Sequence, residues 1–111
     1  MHELAGLTGR WWDWQVDRWD ATGLRLIADN DLTYHHSVEV RFSDVVWVAC
    51  AETFHHPVFR SPTADEQAFG RMVINDDGYH VFTWDAETAS GTVAMMVVAG
   101  EVRVDEALIR H

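Results

Sequence analysis

Apolar and polar residues alternate along most of this chain, with the two-residue period of a half-buried β-strand. Trp12, Trp14 and Val16 share one face, with Asp13, Gln15 and Asp17 on the other. The phase breaks at Arg18 and Trp19, where a bulge or strand end is expected. Asp20-Ala21-Thr22-Gly23 reads as a turn, and Leu24, Leu26 and Ala28 against Arg25 read as the second strand of a hairpin. After a turn at Asp29-Asn30-Asp31, Val38, Val40 and Phe42 alternate with Glu39 and Arg41, in a strand that can begin as early as Thr33. Ser43-Asp44 reads as a break before residues 45–50, an all-apolar run expected to be covered on both faces.

Residues 51–62 show no regular period. Thr63-Ala64-Asp65-Glu66 then matches a capping box, which predicts a helix over 64–69 that Gly70 ends. Met72-Val73-Ile74 reads as a short strand, Asn75-Asp76-Asp77-Gly78 as a hairpin turn and Tyr79 to Trp84 as the returning strand. Ala89-Ser90-Gly91 turns again, Thr92 to Ala99 is a second covered strand, and Gly100 separates it from the alternation of Val102 and Val104 with Glu101, Arg103 and Asp105. The expected fold is mainly β, an antiparallel barrel or strongly curved sheet of about eight strands with one short helix. No repeat or linker divides residues 1–111, so a single β-rich domain is expected.

Charge narrows the function classes. Eighteen Asp and Glu oppose eight Arg and no Lys, giving a formal net charge of -10. Phosphate repulsion disfavours nucleic acid and anionic membrane surfaces as partners, and leaves a basic protein as the favoured class. A Schiff-base or P-loop lysine has no residue to supply it. The single cysteine, Cys50, sits in an apolar run and reads as a core residue in a reducing, cytoplasmic setting. No signal peptide or membrane-length apolar run is seen. A monomer or a homodimer is expected, the latter through an open sheet edge.

The chemistry-bearing residues fall into three groups. Strand alternation places His36 and Tyr34 on the apolar face and His35 on the polar one, and puts His80 inside with Phe82 and Trp84. His55 and His56 precede Pro57 in the irregular segment, read as a loop. If the chain were an enzyme, Tyr34, His36, Glu52 and His80 would be its polar groups; if a metal protein, His36, His55, His56 and His80 its ligands. No HxH, HExxH or paired-cysteine spacing supports a metal, and no cofactor is expected. Asp29-Asn30-Asp31 lacks the later Gly and terminal Glu of a calcium loop. The third group is the cluster of Trp11, Trp12, Trp14 and Trp19, in which alternation turns Trp12 and Trp14 inward and Trp11 and Trp19 outward beside Asp13 and Asp17. An outward Trp flanked by carboxylates suits a protein interface.

The stretch from Trp12 to Phe59 resembles small bacterial β-sheet proteins of toxin-immunity and uncharacterised families, in its Trp/Asp-rich first strand, its Gly turn and the run Val38-Glu39-Val40-Arg41-Phe42-Ser43-Asp44-Val45. That resemblance implies a protein that binds and neutralises another, and it carries no catalytic residue across to this chain. The leading expectation is therefore a non-enzymatic, immunity-like or regulatory protein-binding domain, with Trp11, Trp19, Asp13 and Asp17 at the interface. The alternative is a barrel that holds an apolar small molecule, as a carrier or a cyclase- or isomerase-type enzyme, with His36 and His80 as its polar groups; a His-metal protein is the third.

Overall fold

The computed structural model describes residues 2–30, 32 and 35–110. A short helix α1 (His2–Ala5) leads into β1 (Asp13–Asp20), β2 (Gly23–Asp29), β3 (His35–Ala49) and β4 (Thr53–Arg60), then helix α2 (Ala64–Val73), β5 (His80–Thr88) and β6 (Gly91–Arg110). The six strands close into an antiparallel barrel in the order β1-β2-β3-β6-β5-β4. Closure gives each strand a paired neighbour on both sides, the β1–β4 seam being short, and a barrel this narrow must be filled by its own side chains. Trp14, Leu26, Val40, Phe42, Phe54, Phe82, Trp84, Met95 and Val97 fill it, with Leu4 and Leu7 from α1 and the turn after it.

The expected all-β, antiparallel architecture is therefore present with six strands instead of about eight. The breaks anticipated at Ser43-Asp44 and at Gly100 end no strand. Ser43 pairs with Glu101 and Val45 with Ala99, so Asp44 and Gly100 face each other across β3 and β6. Asp44 adopts φ 55, and a Cβ on Gly100 would lie 3.1 Å from the Asp44 Cβ. The two breaks are one shared kink in two long strands. The irregular segment is strand β4, interrupted by a bulge between His55 and Val58, so the loop expected around His55 and His56 is a strand. Met72 and Val73 continue α2 instead of forming a strand, and Asn75 to Gly78 turns from helix to strand.

The capping box forms as expected. The Thr63 amide donates to Glu66 Oε1 at 2.8 Å and the Glu66 amide to Thr63 Oγ1 at 3.2 Å. Gly70 does not end α2; it is the point at which the helix rests on the outside of the barrel. A Cβ there would lie 2.4 Å from Val81 Cγ2, so only glycine permits the approach that buries Val81 and Val98. Gly70→Ala gains up to about 1 kcal/mol of helix propensity but forces apart two packed elements, which costs about 1–3 kcal/mol. The β-branched Val81 cannot swing aside, so a net loss is expected, read as a lower midpoint in urea. An unchanged or higher midpoint would show that α2 is not seated on β5.

Candidate functional site

A concavity lined by exposed aromatic surface lies where β1 meets β4. Gly9 turns the chain with φ 79, and Trp11 tucks toward the core with its carbonyl accepting the Trp14 indole N–H at 2.8 Å. Trp12 precedes the first strand residue and remains 42% exposed. Its ring stacks on His56 with centroids 5.8 Å apart and lies 5.4 Å from His55. His56 has φ 49, in the left-handed region that non-glycine residues seldom occupy. Its amide donates to the Trp12 carbonyl at 3.0 Å, locking the bulge against Trp12. Pro57, which has no amide hydrogen to place, follows inside the bulge and is buried, while Val58 is 51% exposed. Trp11, Trp12, His56, Pro57 and Val58 line a groove of about 340 Å³. At its rim the Arg10 guanidinium lies 5.7 Å over the Trp11 ring and is paired with Glu106.

Beside the groove runs a cross-strand row of acids and imidazoles. Asp13 pairs with His55 on β4 and with Asp29 on β2. His55 Nε2 lies 3.4 Å from Asp13 Oδ1, and the Leu32 amide donates to Asp13 Oδ2 at 3.2 Å. Asp29 is buried. Its Oδ2 accepts the Ser37 hydroxyl at 2.6 Å and lies 2.8 Å from His35 Nδ1, while Oδ1 accepts the Asn30 amide. Burial alone would push the Asp29 carboxyl up; the donors of Ser37, Asn30 and His35 outweigh it and hold it below the usual range. The row sets two neighbouring carboxylates each beside a histidine and holds the β1–β4 seam on which Trp12 sits.

No protein-family model, curated protein or solved structure matches this chain. Its function has to be argued from its own geometry.

The structure redistributes the predicted site residues. Trp14 is inside and Trp19 is 60% exposed, as alternation required. Trp11 and Trp12 have exchanged roles, because the alternation extends only back to Asp13, where β1 begins. Trp12 and Trp19 stand at opposite ends of β1, seven positions or roughly 23 Å apart along it. The single face expected for Trp11, Trp19, Asp13 and Asp17 therefore splits. Asp13 belongs to the Trp12 groove with His55, whereas Asp17 pairs with Arg25 toward the Trp19 end.

His36 is buried, with Nε2 2.8 Å from Glu39 Oε2. His80, expected inside, is exposed: it is the first residue of β5, and the inward-facing Phe82 and Trp84 lie further along the strand. His36 pairs with Ile109 and His80 with Ala99, ten positions or roughly 33 Å apart along β6. The two do not meet in one site. Tyr34 lies outside the described residues, and Glu52 is exposed, its carbonyl accepting the Val16 amide. Among the described residues no three His, Cys, Asp or Glu side chains converge as a metal-holding group. Burial pushes the Cys50 thiol up to about 12, which leaves no thiolate for nucleophilic chemistry. No helix among the described residues is long and apolar enough to cross a membrane. Sequence reasoning missed Trp12, Pro57 and Val58 as groove residues; the only signal was the His-His-Pro run in a segment without a period.

Proposed function

We propose that this chain is a non-enzymatic protein-binding domain, of a regulatory or immunity-like kind, whose docking groove is the one around Trp12. The observation that carries the reading is Trp12 itself: a large ring left substantially exposed, propped on a histidine held in the left-handed region, beside an exposed Val58. An exposed Trp on a rigid support is the kind of anchor that dominates binding energy in protein interfaces. A backbone held in a sparsely populated conformation is found most often where function requires it.

The occupant is an extended segment of a basic protein. The chain carries a net charge of -10 and would steer a cationic partner toward itself. The groove of about 340 Å³ has room for a few side chains and offers exposed apolar surface from Trp12 and Val58. Apolar anchoring would supply affinity and the surrounding field the association rate.

A library of random dodecapeptides panned against the protein tests this. Enriched sequences should combine an apolar or aromatic residue with Arg or Lys. A synthetic representative should bind about tenfold more weakly to Trp12→Ala, a loss of about 1.4 kcal/mol, and should weaken as salt is raised. Enrichment of acidic sequences, or binding indifferent to Trp12→Ala, would overturn the reading.

A further inference from the structure

The chain has only eight arginines, and four of them form one line across the outside of the barrel. Arg18 on β1 pairs with Arg25 on β2, Arg25 with Arg41 on β3, and Arg41 with Arg103 on β6. The flanking residues Leu24, Leu26, Val40, Phe42, Val102 and Val104 belong to the core or pack against it, so alternation turns all four arginines outward. Strand spacing sets successive members about 4.8 Å apart. Like charges directly opposite on neighbouring strands destabilise a sheet, and here three such pairings stand in succession on a strongly acidic protein. The bulge in β1 between Val16 and Arg18 brings Arg18 into this register.

The row borders a concavity of about 480 Å³ that also contains Thr22, Ser43 and Glu101. Its arginines are incompletely occupied by their carboxylate neighbours. Arg25 Nε donates to Asp17 at 2.6 Å and Arg41 Nη2 to Glu39 at 2.6 Å, but a guanidinium carries five donors. Among the described residues, Arg18 and Arg103 meet carboxylates only at 3.6 Å from Asp20 and 4.0 Å from Asp105. Donors therefore remain on every member, and the Thr22 and Ser43 side chains add hydroxyl groups to the same concavity.

We propose that this arginine row is a binding site for a small phosphate-bearing molecule, separate from the Trp12 groove. The fork of an arginine matches phosphate oxygens two at a time, and adjacent forks in register can share one group between them. The size of the concavity falls in the range of small-molecule sites. A nucleic-acid strand would extend past the row into the field of a chain with net charge -10. A compact anion would sit directly on the guanidinium donors, where fit to the arginine forks decides, because five carboxylates (Asp17, Asp20, Glu39, Glu101 and Asp105) already balance the four arginines. A ligand that binds the folded row and not the unfolded chain would stabilise the fold.

Titration with adenosine monophosphate and ribose 5-phosphate, with adenosine as the uncharged control and citrate as a carboxylate polyanion, tests the proposal. Both phosphates should bind and raise the melting temperature, and adenosine should do neither. Arg41→Gln and Arg103→Gln should each weaken binding by about tenfold while remaining folded, since both side chains face solvent. Arg41→Lys keeps the charge and loses the fork, so it should recover only part of that loss. Glu101→Gln removes a competing carboxylate from the concavity and should tighten binding. Absence of phosphate binding by the wild-type protein, equal binding of citrate, or affinities unmoved by the arginine variants would overturn the assignment. So would a change of oligomeric state on Arg41→Gln, which would make the row a contact between copies of the chain.

Discussion

Trp84→Ala is expected to be among the most damaging single substitutions in the barrel, lowering stability by about 3 kcal/mol or more. Trp84 is fully buried and touches rings on three sides: Phe42 at 6.4 Å, Phe54 at 5.9 Å and Phe59 at 5.5 Å between centroids. These residues come from β3, β4 and β5, so truncation opens a void where strands from both sides of the barrel meet. One effect opposes the loss. The Trp84 indole N–H is buried without an acceptor among the described residues, and an unpaired buried donor costs about 1–3 kcal/mol. Trp84→Phe separates the two effects, because it removes the donor and keeps most of the ring. Packing loss and donor removal should then nearly cancel, for a net change of about 1 kcal/mol or less. Urea denaturation reads both as midpoint shifts at constant slope. A domain of this size has a total stability of about 5–15 kcal/mol, so Trp84→Ala should remove a large part of it. Equal losses for Ala and Phe would show that the second ring, not the filled volume, holds the centre together.

The residues at this centre also show why the chain was only partly readable. Alternation identified β1, β2 and the first half of β3, because there the inward residues fall at even spacing: Leu24, Leu26 and Ala28, or Val38, Val40 and Phe42. It failed over residues 51–62 for a definite reason. Phe54 and Phe59 both belong to the core, yet five positions separate them, and a regular strand would turn them to opposite faces. The bulge around His56 inserts the extra residue that realigns them. The sequence signals that end a strand in a flat sheet, at Asp44 and Gly100, instead bend two paired strands at one place, and that coincidence becomes visible only with their register. The same limit hid the arginine row. Arg25, Arg41 and Arg103 were legible as outward-facing, Arg18 fell where the phase breaks, and their alignment joins position 18 to position 103 through pairings across four strands. The Trp12 groove was half legible: the concentration of Trp was plain, and its phase was inverted because the residues before Asp13 are not in the strand.

Arg60 carries the second large prediction. Its guanidinium joins three elements. From β4 it donates to Glu66 of α2 through Nη1 at 2.7 Å and Nη2 at 2.9 Å, and to Asp85 of β5 through Nε at 2.9 Å and Nη2 at 3.1 Å. Glu66 also accepts the Thr63 amide in the capping box, so removing Arg60 loosens the start of the helix as well as its attachment to the sheet. Both ionic partners keep some access to water, with 25% of the Arg60 side chain and 17% of the Glu66 side chain exposed. The expected cost of Arg60→Ala at neutral pH is accordingly about 2 kcal/mol, below that of breaking a fully buried pair. The pH dependence distinguishes this from lost packing. Hydrogen bonds from Arg60 hold the Glu66 carboxyl at about 2, against burial, from an ordinary value of 4.5. A carboxyl depressed in the folded state contributes its full stability above the unfolded value and loses it as pH falls through the folded one. The difference in stability between wild type and Arg60→Ala should therefore be constant above about pH 5 and shrink steadily toward pH 2. Glu66→Gln, which cannot titrate, should likewise show a shallower acid limb than wild type. Asp29 and Glu39 are also held below the usual range and should leave a residual slope in both variants. A wild-type-to-Arg60→Ala difference as large at pH 2 as at pH 7 would mean that the aliphatic stem of Arg60, and not its charge, joins α2 to the barrel.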